Sequence, residues 1–421
     1  MRLRVSIPKV EPGVMDTPDV CPYDDCDGRY FKPHQQHCDK SVRDTKYDQV
    51  NAMRRECLRC GRTHRVYPKG VSEAHHSDRL KGLSVLLYLL GLSYGGVEDA
   101  LAALECFLSK TTVWRNVQEA GEKTRKLRQT WLESHAGKVR VVGGDPTHVR
   151  CGGRDVVVGV VVDDERGITL DIVVLENERT ETLKTWLLPI LDLVGAEVLI
   201  TDDADGFKEV ADEAGVRHQI CRRHVTTNVL TFIAEVAEQV WENPPPVPQG
   251  LCLSPDQLLA DLESLEWIML GHPGHGARLL EEMHLRYAHA PAPQKGERAT
   301  IWYRMRLHLL HLWNNWRHLT CYLTLRYSEG LEINPTNNAT ERAIGWTVKD
   351  RYRTMRGYKR QRSILNVSTL TGWLLWNVSM ILRQLVLEFR VEKFNDCRLI
   401  QRLLHDSLVL VRVKGRFALR P

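Results

Sequence analysis

The sequence predicts an α/β core built on a mixed sheet, which an all-α insertion interrupts and which a cysteine-bearing module and a helical region precede. Three observations lead to this fold class. β-Branched runs alternate with turns between residues 138 and 176, and a helical pattern follows them. Two pairs of cysteines lie ahead of residue 61. Residues 225 to 330 are rich in helix formers, His and Trp, and lack strand patterns.

Composition narrows the class of protein. The chain has 421 residues, 43% of them hydrophobic and 26% charged, which is typical of globular proteins with two or three domains. A net charge of +5 permits a polyanionic partner without requiring one. The longest apolar run is too short to span a bilayer, so no membrane partner is expected. The N-terminus lacks the apolar core of a signal peptide, and we therefore expect a cytoplasmic protein.

The first 75 residues divide into two parts. Pro8, Pro12 and Pro18 predict an irregular arm over residues 1–20. Residues 21–75 form a separate module with two short knuckles of paired thiols, whose spacing suits tetrahedral Zn²⁺ better than disulfides in a reducing compartment. The predicted zinc ligands are Cys21, Cys26, Cys57 and Cys60. Buried cysteines without a metal are the alternative.

Three further residues between the knuckles could replace a ligand. They are His34, His37 and Cys38. We interpret them as solvated loop residues.

Residues 76–135 have a helical pattern. Leucines recur at helical spacing from Leu80 to Leu90, Gly91 ends that helix, and Gly95–Gly96 predicts a break before the next one. A third helix follows Ser109 and carries polar and basic side chains on its first turns. These are Lys110, Arg115 and Asn116. The order fits a helix-turn-helix that reads DNA, and an ordinary helical bundle is the alternative.

The first part of the core is predicted over residues 136–224. Three strands lie between Lys138 and Asn177, an amphipathic helix runs from Glu181 to Val194, and a buried strand covers 196–201. This β-β-β-α-β order is that of a ribonuclease-H-like core.

The remainder of the chain is predicted to be mostly helical. A helical insertion covers 225–330 and contains a proline-rich segment near 243–255. The second part of the core covers 331–390 and includes an apolar helix from about Leu370 to Leu387. The tail, 391–421, carries no assignable pattern.

Two aspartates follow predicted strands of the core. Asp145 is placed at the end of the first strand, and Asp202 comes 57 residues later at the end of another (202 − 145 = 57). Neighbouring carboxylates repel each other unless a divalent cation lies between them, and Mg²⁺ favours such oxygen ligands. Asp203 could take the place of Asp202. Asp145 could instead be a turn residue, since a proline follows it.

A third acid is expected from a helix beside those strands. Glu341 would project from the first turn of a helix capped by Asn338 or Thr340, where the helix dipole favours a carboxylate. It could also be only the capping-box partner of Asn338. Three such carboxylates would hold two Mg²⁺ ions, or Mn²⁺, for phosphodiester chemistry.

A basic stretch follows Glu341 and is expected to bind the nucleic-acid backbone. Its predicted contacts are Arg342, Lys349, Arg351 and Arg353.

Four motifs together resemble a known family. They are D-P-T-H at 145, T-D-D at 201, H-Q-I-C-R-R-H at 218 and N-x-x-E-R at 338. The chain resembles the DDE transposases of bacterial insertion sequences, in particular the Mutator-like group, over about residues 55 to 375. Cys221 and His224 supply the distinctive C-x-x-H motif, and an N-terminal four-cysteine module is not universal in the group.

The resemblance implies both a site and an activity. Asp145, Asp202 and Glu341 become the catalytic triad, and the partners are double-stranded element ends and target DNA, bound by a homodimer or higher oligomer at the nucleoid. The implied reaction cuts the element end and joins its 3′ hydroxyl to target DNA. Two alternatives stay open, a nuclease without the joining step and a domesticated DNA-binding protein without catalysis.

Overall fold

The computed structural model describes residues 7–134, 136–355 and 357–384. Contacts divide the described chain into two compact units. Unit 1 comprises residues 7–130, 149–154 and 345–384, and unit 2 comprises residues 131–148 and 155–344.

The N-terminal part of unit 1 is built from five strands. They are β1 (Glu11–Met15), β2 (Phe31–Ser41), β3 (Gln49–Cys57), β4 (Thr63–Val66) and β5 (Pro68–Lys69). Strands β2, β3 and β4 form an antiparallel sheet, and β1 pairs with β5. The predicted irregular arm is therefore wrong for 11–15, which form a strand. His34, His37 and Cys38 also lie in a strand, β2, rather than in a loop.

Three helices follow in unit 1. They are α1 (Asp78–Leu89), α2 (Tyr94–Ala102) and α3 (Lys110–Ser134). Ser77 caps α1 by accepting a hydrogen bond from the Leu80 amide, and Ser93 caps α2 in the same way from the Gly96 amide. The predicted helix break at Gly95–Gly96 is wrong. Ser93 caps α2, so the helix begins at Tyr94 and both glycines lie in its first turn.

Unit 2 contains most of a five-stranded sheet with two helices. These elements are β6 (Val141–Cys151), β7 (Arg154–Asp163), β8 (Ile168–Leu175), α4 (Thr180–Val194), β9 (Val198–Thr201), α5 (Asp205–Ala214) and β10 (Arg217–Ile220). The strand order is β10-β9-β6-β7-β8. β10, β9 and β6 are parallel, whereas β7 and β8 are antiparallel, which confirms the predicted mixed sheet.

Both faces of the central strands are buried. Successive strand residues point to opposite faces, so Val142 and Leu199 pack with α4 and α5 while Val141, Val198 and Ile200 pack on the other side. A strand that is buried on both faces has an unbroken apolar sequence, which is why the run V-L-I predicted a strand without alternation.

A helical segment follows β10, where the all-α insertion is predicted. Its helices are α6 (Arg222–Glu242), α7 (Pro255–Gly271), α8 (Gly276–Tyr287), α9 (Ile301–Leu319) and α10 (Cys321–Glu329). They enclose a hydrophobic core of their own that includes Leu258, Leu280, Trp302 and Leu309.

The last described elements are α11 (Asn338–Ile344), a π-helical turn (Gly345–Lys349), α12 (Asp350–Met355) and α13 (Gln361–Gln384). The predicted apolar helix thus begins at Gln361, and its predicted end at Leu387 lies outside the described residues, as does the tail 391–421. In the part of the chain that is described, no helix has the length and apolar character needed to cross a membrane.

The start of α11 differs from the predicted cap. Asn338 is the first helical residue and Thr340 lies inside the helix, so neither caps it. Asn337 precedes the helix, and its carbonyl accepts a hydrogen bond from the Glu341 amide.

Helix α11 lies directly against the backbone of β6. A Cβ added at Gly143 would overlap Thr340 Oγ1 and lie 3.2 Å from Asn337 Oδ1. The Asn337 side chain also donates to the Gly144 carbonyl over 3.4 Å. Glycine at 143 therefore allows this close approach, which places Glu341 beside the strand that carries Asp145.

We expect Gly143→Ala to destabilise the chain by about 1–3 kcal/mol, because the added methyl group forces α11 away from β6. Denaturant unfolding of the full chain measures this loss. The matched control is Gly271→Ala at the end of α7, where a Cβ meets nothing within 4 Å. Equal stability of the two variants would contradict the packing argument.

Candidate metal-dependent active site

The register of two parallel strands aligns the two predicted aspartates. Gly143 of β6 pairs with Ile200 of β9. Asp145 lies two residues beyond Gly143 inside β6, and Asp202 lies two residues beyond Ile200, just past the end of β9. Continued to these residues, the register would place them side by side, on strands about 4.8 Å apart. Asp202 follows β9 directly, as predicted. Asp145, however, lies inside β6, which continues to Cys151, rather than at its end.

Side chains along a strand point alternately to its two faces, and this alternation indicates the direction of the two carboxylates. Residues two apart share a face of a strand, so Asp145 shares the face of Gly143, and Asp202 shares that of Ile200. The position of a Cβ at Gly143 shows that this is the face against which α11 packs. Asp145 therefore points to the side of the sheet against which α11 packs, and Asp202 would do so if the alternation of β9 continued one residue past its end.

Asp202 is held in an environment that disfavours its charge. Burial raises the pKa of its carboxyl above the usual value, and the carboxylates of Asp203 and Glu178 act in the same direction. The Ala204 amide, which donates to Oδ1 over 3.3 Å, and His224 oppose that shift. A divalent cation would relieve this crowding of negative charge.

Asp203 has partners that Asp202 lacks. Burial alone would raise the pKa of its carboxyl, but a hydrogen bond from His311 and an ion pair with Lys208 at 2.9 Å outweigh burial and keep that pKa below its usual range. Because its charge is already compensated, Asp203 is the weaker candidate for a metal ligand. The environment therefore favours Asp202, in agreement with the sequence preference.

A buried hydrogen bond fixes the turn after β9. The Thr201 hydroxyl donates to the Asp202 carbonyl over 2.9 Å and lies 2.8 Å from His218 Nε2. Burial and the nearby His318 lower the pKa of His218 to about 3, so its ring is neutral near pH 7. With the hydroxyl proton already donated, His218 Nε2–H must donate to Thr201, which leaves Nδ1 without a partner, as observed.

Glu341 lies in a second group of ligand atoms. The Cys221 thiol, the His224 ring and the Glu341 carboxylate have atoms that all lie within 4.8 Å of one another. His224 Nε2 is 3.2 Å from Glu341 Oε1, and Arg223 is 3.8 Å from Oε2. The structure therefore brings Glu341 to the C-x-x-H motif, and the role of Glu341 in an acid triad stays a prediction.

Sequence reasoning missed Glu178. It lies just after β8, where its charge raises the pKa of Asp202, and it contacts His148 Nε2 over 2.8 Å. His148 is an exposed residue of strand β6. Three strands would have to be assigned in register to find this pair, and no short motif marks it.

The carboxylates of Asp145, Asp202 and Glu178 are donors of the kind that suits Mg²⁺ or Mn²⁺. Among the described residues these three do not form a group whose ligand atoms all lie within 4.8 Å of one another. Burial raises the pKa of Asp202 and leaves its charge weakly compensated, and a bound cation would offset that cost.

The four cysteines of the N-terminal module form a group that can hold zinc. Their Sγ atoms all lie within 4.8 Å of one another, and the pairs Cys21–Cys60 and Cys26–Cys57 are each 3.8 Å apart. Thiolates about 2.3 Å from a tetrahedral zinc ion lie about 3.8 Å apart, so the spacing fits. The backbone and side chain of Arg62 lower the pKa of Cys60 to about 6, which favours the thiolate that binds metal.

Some of the side chains predicted to contact DNA are exposed, and others are buried. Lys110, Arg115, Arg342 and Arg353 are exposed, and Lys349 is half-buried. Asn116 is buried and donates to Ser84 Oγ over 3.0 Å, so its side chain is occupied in helix packing.

Arg351 is also buried, with its guanidinium 4.1 Å from the centre of the Tyr88 ring. Its Nη2 donates to the Leu92 carbonyl over 3.4 Å. The packing thus contradicts a DNA contact by Asn116 and Arg351, because both side chains face the interior of unit 1.

Comparison with known proteins gives matches among solved structures. No protein-family model and no curated protein matches the chain. Among solved structures, the chain is similar to the magnesium-bound integrase catalytic core domain of HTLV-2 in its dimeric and trimeric forms. Identities are 18% and 19%, and both alignments have a TM-score of 0.18 and cover 31% of this chain, with 85% and 84% of the respective integrase chains.

We expect Cys57→Ser to remove one zinc ion per full-length chain and to lower the melting temperature, because metal binding and folding of a small module are coupled. Mass spectrometry of bound metal and thermal unfolding measure the two effects. The control is Cys38→Ser in the neighbouring strand β2, which lies outside the four-cysteine group. Unchanged zinc content in Cys57→Ser would show that the group is not a zinc site.

Proposed function

We propose that this protein is a DDE-type transposase, which cuts the DNA at the ends of a mobile element and joins the freed 3′ ends to target DNA. The observation that carries the proposal is the register of the parallel strands β6 and β9, whose continuation leads to Asp145 and Asp202, together with the packing of the Glu341 helix on Gly143 of β6. The motifs around these three residues support the same assignment.

The side chains of the site have distinct tasks in this proposal. Asp145, Asp202 and Glu341 would hold two divalent cations, and the chemistry such ions supply is activation of the attacking oxygen and stabilisation of the leaving one. Asn337 and Thr340 position Glu341 by packing against Gly143 and Gly144. Arg223 is an exposed cation 3.8 Å from Glu341, where it can attract a DNA phosphate.

DNA binding is assigned to exposed basic side chains in each unit. Lys110 and Arg115 lie on the first turns of α3 in unit 1, as a helix-turn-helix requires, and Arg353 and Lys349 are in the same unit. Arg342 is exposed in unit 2. Two element ends have to be cut together, which favours a homodimer or higher oligomer acting at the nucleoid.

We expect Asp145→Asn and Asp202→Asn each to reduce DNA strand cleavage and joining by more than about 100-fold, because each substitution removes a metal ligand. The assay uses supercoiled plasmid and a labelled duplex with a free 3′ hydroxyl in the presence of Mn²⁺, and it follows plasmid nicking and transfer of label. Binding of the same duplex should persist in both variants.

The matched control is Asp205→Asn, at the first residue of α5. The Asp205 side chain is 92% exposed and pairs with Lys208, so this variant should keep full activity. Activity of Asp145→Asn equal to that of the Asp205→Asn control would remove Asp145 from the site.

The same assay separates the proposal from its two alternatives. Nicking and transfer of label by the unaltered protein support a transposase. Nicking without transfer overturns the joining step and favours a nuclease with the same core. Binding without nicking overturns catalysis and favours a domesticated DNA-binding protein.

A further inference from the structure

The C-x-x-H motif and Glu341 converge from two elements of unit 2. Cys221 is the residue before α6, and His224 lies in the first turn of that helix, three residues later. Residues three apart lie on one face of a helix. Glu341 comes from α11, and the ligand atoms of all three residues lie within 4.8 Å of one another.

Cys221 is held firmly in this position. Its backbone amide donates to the Thr201 carbonyl over 2.8 Å, and its Sγ accepts a hydrogen bond from the Asn337 amide over 3.3 Å. The residue is fully buried. The thiol is therefore fixed between the strand that precedes Asp202 and the segment that precedes the Glu341 helix.

His224 and Glu341 are in direct contact, with Nε2 and Oε1 3.2 Å apart. A nitrogen and an oxygen that are each about 2.0–2.1 Å from one tetrahedral zinc ion lie about 3.3 Å apart. The separation therefore fits two ligands of one shared ion.

The chemistry of the donors selects the class of metal. A thiolate, an imidazole and a carboxylate suit a borderline transition metal such as Zn²⁺, whereas Mg²⁺ takes oxygen ligands. We propose that Cys221, His224 and Glu341 form a second zinc site, distinct from the four-cysteine group. Three protein ligands leave a fourth position open.

The open position is accessible from solvent. The side chains of His224 and Glu341 are 45% and 31% exposed. A water molecule or a phosphate oxygen can therefore complete the coordination. His224 lies close enough to Asp202 to influence the pKa of its carboxyl, so the proposed zinc site lies beside that carboxylate.

The inference does not depend on the proposed function, because metal content is measured without DNA. Full-length protein is loaded with a small excess of Zn²⁺, freed of unbound metal and analysed by mass spectrometry. We expect two zinc ions per chain in the unaltered protein and one in both His224→Gln and Cys221→Ser. Cys252→Ser is the control and should keep two, because this exposed cysteine is remote from both groups.

His224→Gln is the decisive variant, since its side chain is half exposed and its replacement should leave the fold intact, which circular dichroism checks. Loading with Co²⁺ gives an independent signal, because a second tetrahedral cobalt adds visible absorption in the unaltered protein and not in His224→Gln. One zinc per chain before and after this substitution would overturn the inference. Two zinc ions without DNA cleavage would instead overturn the proposed function alone.

Discussion

The close packing of α11 against the glycine backbone of β6 is the constraint on which the candidate site depends. Gly143 allows Thr340 to approach the strand, and Asn337 binds both the Gly144 carbonyl and the Cys221 thiol. One contact therefore sets the position of Glu341 relative to the sheet and relative to the start of α6. If α11 lay further from β6, Glu341 would be separated both from the sheet and from the start of α6.

Glu341 is the residue that the two proposed sites share. Its carboxylate contacts the C-x-x-H motif directly, and its helix packs on the face of the sheet that carries Asp145. A carboxylate can bridge metal ions through its two oxygens, so one side chain can serve both a soft zinc site and a hard Mg²⁺ site. The neighbours of Asp203 explain why it is not an equivalent ligand, since Lys208 and His311 already compensate its charge.

The sequence predicted the sheet and the two aspartates because both depend on local patterns. β-Branched runs defined the strands, and polar residues at the end of a buried strand marked Asp202. Sequence alone failed where the orientation of a helix about its axis decides whether a polar side chain is exposed or buried. Asn116 and Arg351 are examples, because both are polar residues that face inward. It also missed contacts between residues distant in sequence, such as that between His148 and Glu178, because these depend on strand register.

The central claim is that Asp145 and Asp202 together bind a divalent cation, and electron paramagnetic resonance titration with Mn²⁺ tests it most directly. Zinc-saturated protein excludes binding at the thiol-containing groups. The unaltered chain should bind Mn²⁺, and replacing either Asp145 or Asp202 with Asn should weaken that binding by at least about 10-fold, whereas Asp205→Asn should not. Equal Mn²⁺ affinity in the unaltered chain and in both Asp145→Asn and Asp202→Asn would contradict the account.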